Sequence, residues 1–197
     1  MRDHQNPWKT LSTKRFYECS YVNAEEDQVL HRSGKIHAYT ALRFQIHGVA
    51  VLPILADGST VIVGQYRYLS QQFTWELPRG SGSLDSPPLE TAHRELAEEA
   101  GLAKGDWLEV FRLLVSPGIT DEWAPCFVAW NLDDVAAERP IEEELILRRL
   151  PFRDLVKAAS SGSIHDAASV ATILAVQHRA VAGDLPPDLQ AMLNSQI

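Results

Sequence analysis

Cysteine is scarce in this 197-residue chain, which has only Cys19 and Cys126. Two cysteines are too few for a disulfide-stapled secreted scaffold. The seven histidines show no zinc-finger spacing with them, so a zinc finger is excluded as well. We therefore expect a protein of a reducing compartment, the cytoplasm.

Positive charge and long apolar runs are also lacking. Eighteen Lys and Arg residues stand against 26 Asp and Glu residues, which gives a net charge of −8 and argues against nucleic acid as a partner. The longest apolar stretch, Ala167 to Val176, is interrupted by Ser169 and Thr172 and is too short to span a bilayer. The N-terminus has no apolar core of a signal peptide. We expect no membrane partner.

The composition is that of a globular protein, with 45% hydrophobic and 22% charged residues. Residues 1–45 alternate polar and apolar side chains around a Ser33-Gly34 turn, which predicts a small antiparallel sheet. Stronger strand patterns begin near residue 46, and we predict a main domain over residues 46–183. The tail, 184–197, has two prolines and is expected to be loosely attached.

Within the main domain the pattern predicts strands with helices packed outside them, an α+β fold. Residues 78–83 read as a loop, followed by a helix over Leu89–Ala100 with Ser86 as a possible cap and Gly101 as its stop. The other predicted strands and helices are Val49–Leu55, Thr60–Tyr66, Phe73–Leu77, Trp107–Val115, Phe127–Leu132 and Glu144–Leu150, then helices near Arg153–Ala159 and His165–Val181.

The predicted helix carries three carboxylates on one face. Glu95, Glu98 and Glu99 follow the spacing i, i+3, i+4 and share a face about 100° wide. Like charges at this spacing destabilise an isolated helix. Clustered carboxylate oxygens suit Mg²⁺ or Mn²⁺. A solvated acidic face is the alternative, and spacing alone does not decide between them.

The surrounding residues resemble a known signature. Gly80 followed by Arg94-Glu95-Leu96-Ala97-Glu98-Glu99-Ala100-Gly101-Leu102 is similar to the Nudix hydrolase motif G-x5-E-x7-R-E-U-x-E-E-x-G-U, where U is aliphatic. The first glutamate of that motif falls on Ser86, with Asp85 beside it. The resemblance implies a Nudix α/β/α sandwich with a mixed sheet, preceded by the N-terminal antiparallel sheet.

The same resemblance implies a metal site. Its principal ligands would be Glu95 and Glu99, with Glu98 assisting and a backbone carbonyl near Gly80 contributing. The implied cofactor is Mg²⁺, with Mn²⁺ possible. Arg94 is implied to orient the carboxylates through ion pairs.

Three further segments point toward the ADP-ribose and nucleoside-diphosphate-sugar pyrophosphatases within that family. Arg67, followed by Trp75-Glu76-Leu77-Pro78, is similar to the segment whose arginine contacts substrate phosphate, and we include Glu76 with the substrate-binding residues. Pro117 lies in a Ser-Pro-Gly loop that is associated with ADP-ribose preference. A surface ion pair is the alternative for Arg67, and an ordinary turn for Pro117.

An acidic run, Ile141 to Ile146, resembles the loop that supplies the catalytic base in these enzymes. Glu142 and Glu144 match its Glu-x-Glu pattern, and the sequence does not choose between them. An acidic surface loop is the alternative reading.

The N-terminal sheet also has a counterpart in this subclass, where it forms a dimer interface and a base pocket. The resemblance therefore implies a homodimer, with Trp8 and Tyr39 stacking on the base. Aromatic stacking holds any base, so it does not identify which one. Ordinary packing is the alternative for both residues.

The reaction implied is metal-dependent hydrolysis of the diphosphate bond of ADP-ribose to AMP and ribose 5-phosphate, with Glu99 as a catalytic ligand. Two rivals remain. One is hydrolysis of another nucleoside diphosphate sugar such as GDP-mannose or ADP-glucose, and the other is a non-catalytic nucleotide-sugar sensor on the same scaffold.

Overall fold

The computed structural model describes residues 5–136 and 144–197. They divide into two compact units. The first comprises the chain up to Ile46 together with Leu114–Glu122, and the second comprises His47–Leu113 and Trp123–Ile197.

The first unit is built on a three-stranded antiparallel sheet in the order β1-β2-β3. Its strands are β1 (Trp8–Glu18), β2 (Val22–His31) and β3 (Ile36–Phe44). Alternate side chains of β2 are buried, and they include the carboxylates of Glu25 and Asp27. Arg43 on β3 lies 2.6 Å from Asp27 and 3.6 Å from Glu25, which offsets the cost of burying those charges. The antiparallel sheet predicted from the alternation is confirmed.

The second unit contains the remaining strands and all described helices. Its strands are β4 (Ile46–Pro53, whose first residue belongs to the first unit), β5 (Ser59–Arg67), β6 (Gln72–Glu76), β7 (Arg79–Ser83), β8 (Leu102–Ala103), β9 (Asp106–Leu114, whose last residue belongs to the first unit), β10 (Trp123–Trp130), β11 (Asp133–Asp134) and β12 (Ile146–Pro151). Its helices are α1 (Pro88–Glu95), α2 (Phe152–Ser160), α3 (Ala167–Ala182) and α4 (Pro187–Leu193), with a π-helical turn over Leu96–Ala100.

These strands form sheets in the orders β7-β4-β10-β9 and β12-β5-β6, with a short β11-β8 pair. Strands β4 and β10 run parallel, with Phe127 opposite Val51, whereas β5 pairs antiparallel with both β6 and β12. Parallel and antiparallel pairs together with four helices confirm the predicted α+β class with a mixed sheet.

Strand alternation sends the side chains of β10 into two cores. Phe127 and Ala129 pack with Leu96 of the π turn, whereas Val128 and Trp130 pack with α2, α3 and α4. Because successive strand residues point to opposite faces, helices cover both sides of this strand. This is the layering of an α/β/α sandwich.

Three sequence predictions need correction. Arg79–Ser83, predicted as loop, form strand β7. The predicted helix keeps α-helical hydrogen bonding only to Glu95 and continues as the π turn, and its N-cap is Pro87, with no side-chain cap. The tail is not loosely attached, because α4 buries Leu189 and Leu193 completely in the main core.

Among the described residues, no helix is both long enough and apolar enough to cross a membrane.

Candidate active site

The three motif carboxylates lie at the junction of α1 and the π turn. Glu95 ends α1, and Glu98 and Glu99 lie within the turn. Glu95 and Glu99 are buried, at 8% and 6% exposure, whereas the Glu98 side chain is 38% exposed. π turns are frequent at functional sites because they alter the direction of side chains within a helix. Gly101 ends the turn in the left-handed region, at φ 68°, which confirms it as the predicted stop of the helix.

Arg94 links these carboxylates to the preceding strand. Its guanidinium lies 2.5 Å from Glu95 Oε1 and 2.7 Å from Glu98 Oε2, and it donates to the carbonyl of Ser81 on β7 at 2.8 Å. Burial opposes the charged guanidinium, but Glu95 and Glu98 outweigh it and raise the pKa of Arg94. The orienting ion-pair role implied for Arg94 fits these contacts.

Strand β7 approaches the same carboxylates with its backbone. A Cβ atom on Gly80 would overlap the Glu95 carboxylate, so only glycine allows this approach. The adjacent N–H of Arg79 donates to Glu99 Oε2 at 2.7 Å. The structure thus brings β7 at Arg79 and Gly80 against Glu95 and Glu99 of the following helical segment.

The donor chemistry here fits a hard divalent cation. Carboxylate and backbone carbonyl oxygens are the ligands that such ions prefer, and Gly80 leaves room for its backbone to approach Glu95 closely. Within residues 5–136 and 144–197, no three acidic, histidine or cysteine side chains are already gathered closely enough to hold an ion. Arg94 and the Arg79 N–H engage the carboxylates instead.

A second group of predicted residues lines a cavity of about 240 Å³ at the end of β5 and β6. Glu76 is 1% exposed, and its carboxylate accepts two hydrogen bonds from Arg67, at 2.9 and 2.7 Å, and one from Thr74 at 3.2 Å. Burial opposes the charge on Arg67, but Glu76 outweighs it and raises the pKa of the guanidinium. Arg67 is therefore a fixed cation, and Glu76 holds it.

Three of the predicted substrate-binding residues meet in a different cavity, which lies wholly within the first unit. It has a volume of about 370 Å³, and Trp8, Tyr39 and Pro117 all line it. The Trp8 and Tyr39 rings meet edge to face, with centroids 5.5 Å apart. Pro117 lies far from Trp8 in the sequence, but it lines the same cavity because the segment Leu114–Glu122 belongs to the first unit.

Charged groups line the same cavity. Arg43 and Asp27 lie 2.6 Å apart, and Asp121 is 3.6 Å from Arg43. Asp121 Oδ1 also accepts the backbone N–H of Phe44 at 2.9 Å, which ties its loop to the end of β3. The cavity thus combines aromatic walls with carboxylate acceptors and one guanidinium, a surface suited to a planar, hydrogen-bonding ring.

Of the two candidate catalytic bases, the structure describes only Glu144. Glu142 lies outside the described residues. Glu144 is exposed and lies two residues before β12 begins.

Two side chains at the site were missed by the sequence analysis. Arg79 and Asp166 line the cavity with Arg67, and they form an ion pair with each other. Asp166 carries a recognisable signal, since an aspartate just before an apolar helical run is a preferred N-cap. It caps α3 by accepting from the N–H of Ser169 at 2.8 Å.

No family model matches the chain, but it is similar to several known proteins. It is 28% identical over 188 residues to an ADP-ribose pyrophosphatase of Mycobacterium tuberculosis, covering 93% of this chain and 89% of the relative. It is 25% identical over 171 residues to an ADP-ribose pyrophosphatase of Bacillus subtilis, covering 86% and 92%. It is also 29% identical over 174 residues to a methanol dehydrogenase activator of Bacillus methanolicus, covering 86% and 91%.

A solved structure, the crystal structure of an ADP compounds hydrolase, shares the fold. It superimposes with a TM-score of 0.81 at 18% identity and covers 93% of this chain and all of the other. The two pyrophosphatase relatives, this fold and the motif residues together confirm that the chain resembles the Nudix ADP-ribose pyrophosphatases.

Proposed function

We propose that this protein hydrolyses the diphosphate bond of ADP-ribose, giving AMP and ribose 5-phosphate. The observation that carries the proposal is the junction of α1 and the π turn, where Glu95 packs on Gly80 and Glu99 accepts the N–H of Arg79. Arg67, held by Glu76, supplies a fixed cation in the same unit. The two pyrophosphatase relatives, similar over most of the chain, support this choice of reaction.

Glu95, Glu98, Glu99 and the carbonyl of Gly80 would hold Mg²⁺, with Mn²⁺ as a substitute. When bound, the ion would polarise the phosphoryl oxygens and offset the charge that develops on them. Without a cation, the carboxylates and the diphosphate would repel each other.

The chain's own residues perform the remaining work. Arg67 binds a phosphoryl oxygen, and Glu76 fixes the orientation of that guanidinium. Glu142 or Glu144 accepts a proton from the attacking water as its oxygen bonds to phosphorus and the bridging P–O bond breaks. General-base assistance of this kind contributes about 10²- to 10⁴-fold in rate.

Base recognition belongs to the cavity of the first unit. Trp8 and Tyr39 contact the base, and Pro117 borders it.

The physiological assembly proposed is a homodimer, because β1 is an 11-residue edge strand whose Leu11 and Phe16 are 47% and 56% exposed. Edge strands of this length and apolarity pair readily with another chain. The cytoplasm is the proposed compartment, since both cysteines are free.

The test is chromatographic resolution of products after incubation of the purified protein with ADP-ribose and Mg²⁺. We expect AMP and ribose 5-phosphate, with a rate that falls about 100-fold or more in Glu99→Gln. Glu90→Gln is the matched control, because Glu90 is an exposed carboxylate on the first turn of α1. Its rate should equal that of the wild type.

Turnover of GDP-mannose or ADP-glucose in preference to ADP-ribose, in a competition assay, would move the proposal to another nucleotide sugar. Tight binding of ADP-ribose by a folded protein without hydrolysis in Mg²⁺ would contradict the proposed enzyme and favour a sensor.

A further inference from the structure

The cavity that holds Arg67 contains a second guanidinium, that of Arg79. Arg79 is the first residue of β7, so its backbone N–H reaches Glu99 while its side chain enters the cavity. One residue therefore touches both a metal-motif carboxylate and the cavity of the phosphate-binding arginine.

An ion pair with Asp166 holds the Arg79 side chain. Its Nη1 donates to Asp166 Oδ1 and lies 3.8 Å from Glu76 Oε2. The other oxygen of Asp166 accepts from the backbone N–H and the hydroxyl of Ser169, at 2.8 and 2.7 Å. The Ser169 hydroxyl oxygen in turn accepts the N–H of Leu77 at 2.9 Å, so Asp166 is fixed against both α3 and the end of β6.

The two guanidiniums are the accessible charges of this cavity, and the carboxylates lie behind them. The Arg67 and Arg79 side chains are 41% and 25% exposed, whereas those of Glu76 and Asp166 are 2% and 15% exposed. An anion that enters the cavity therefore meets the cations first.

Donors remain on both side chains. The bonds to Glu76 account for two of the five N–H groups of Arg67, and the bond to Asp166 accounts for one of the five on Arg79. Planar guanidinium forks match pairs of phosphate oxygens, which a lysine does not. Two such forks in one cavity suit two adjacent phosphoryl groups better than one.

We propose that Arg79 is a second substrate-binding residue, which with Arg67 clamps the two phosphoryl groups of a diphosphate, and that Asp166 is its positioning residue. This inference rests on the proposed function and deepens it. The two arginines favour a diphosphate diester over a monophosphate as substrate, because a monophosphate would engage only one of them.

The competing explanation is that Arg79 only ties β7 to α3 through Asp166. Measurements of substrate affinity separate the two explanations, because a purely structural residue would change stability without changing substrate binding selectively.

The test uses the full chain with Arg79→Met, Arg79→Lys and Asp166→Asn. Asparagine is itself a good N-cap, so Asp166→Asn keeps the cap on α3 while it removes the charge and one of the two acceptor oxygens. Arg112→Met, which breaks an exposed pair with Glu109, is the matched control.

Two readouts are needed: KM and kcat for ADP-ribose with Mg²⁺, and the Kd for ADP-ribose by calorimetry in EDTA, where no turnover occurs. We expect Arg79→Met to raise KM and Kd about tenfold or more, the loss of a charge-assisted hydrogen bond. Arg79→Lys should recover part of this, Asp166→Asn should raise both a few-fold, and AMP binding should weaken less than ADP-ribose binding. Arg112→Met should match the wild type.

An unchanged KM and Kd in Arg79→Met and Arg79→Lys would overturn the inference, whatever happens to stability. Equal weakening of AMP and ADP-ribose would overturn the two-phosphoryl clamp. If the wild type bound ADP-ribose without hydrolysing it, and Arg79→Met weakened that binding selectively, the proposed hydrolysis would fail while this inference stood.

Discussion

Arg67 donates two parallel hydrogen bonds to Glu76, from Nε to Oε1 at 2.9 Å and from Nη2 to Oε2 at 2.7 Å. The carboxylate is almost completely buried, and the guanidinium is partly exposed. The geometry leaves Glu76 no open face toward a ligand. We therefore expect Glu76 to act through Arg67, as a positioning residue, and Arg67 to contact substrate.

Glu76→Gln should weaken both stability and substrate binding. An amide accepts only one of the two bonds and presents its own NH2 group to the arginine. We expect the free energy of unfolding to fall by about 1–3 kcal/mol, toward the lower end because solvent screens Arg67. The KM for ADP-ribose should rise several-fold. Urea unfolding and steady-state kinetics measure these quantities.

Glu109→Gln is the control for that prediction. It breaks a pair of similar geometry with Arg112, at 2.6 Å, but on the exposed side of β9. We expect a loss of about 0–1 kcal/mol and no change in KM. If Glu76→Gln and Glu109→Gln had equal effects, burial of Glu76 would contribute nothing to stability or to substrate binding.

Gly80→Ala should displace the Glu95 carboxylate, because the new Cβ would occupy its space. Overpacking of this kind costs about 1–3 kcal/mol of stability. We expect a larger loss in Mg²⁺-dependent turnover, together with a higher Mg²⁺ concentration at half-maximal rate. Gly118→Ala is the stability control, since nothing lies within 4 Å of its added Cβ. Wild-type magnesium dependence in Gly80→Ala would contradict the assignment of the site.

Trp8→Ala should weaken recognition of the base. Stacking of a base on an aromatic ring contributes about 1–3 kcal/mol, so we expect KM for ADP-ribose to rise about tenfold with little change in kcat. Trp8→Phe should recover part of the affinity. Ribose 5-diphosphate has no base and serves as the control substrate. An equal loss of affinity for both substrates would exclude a stacking role.

His47 should make stability depend on pH. Burial lowers its pKa below the usual 6.5, and its Nε2 lies 3.0 Å from Thr91 Oγ1 on α1. The unfolded chain therefore binds the proton more readily than the folded chain, and the free energy of unfolding decreases as the pH falls through and below about 6.5.

His47→Gln should flatten that dependence, since glutamine stays neutral and can still bond Thr91. Chemical unfolding between about pH 7.5 and 5.5 measures the slope. Burial also lowers the pKa of His93, so the double variant should be flatter still. An unchanged slope in His47→Gln would show that this histidine is not the source.

The sequence predicted the elements that depend on local pattern. Gly101 ends the motif helix because glycine tolerates the left-handed region, and the alternation of residues 1–45 predicted the antiparallel sheet of the first unit. The π turn was not predictable, since no residue type marks it and its hydrogen bonding depends on the packing of Leu96 and its neighbours. The buried α4 was missed because its two prolines suggested a loose tail, whereas Pro187 is a favourable first residue of a helix.

By itself, the sequence determined the order and spacing of the motif, because Gly80, Glu95 and Glu99 follow a pattern readable along the chain. It also determined the charge balance and most of the longer strands and helices, but not β7, the π turn or α4. Only the tertiary structure decided that Trp8, Tyr39 and Pro117 share a cavity, and that Asp166 holds Arg79 across 87 positions of chain. Periodicity records which side chains share a face of one element, whereas contacts between distant elements arise from how those faces pack.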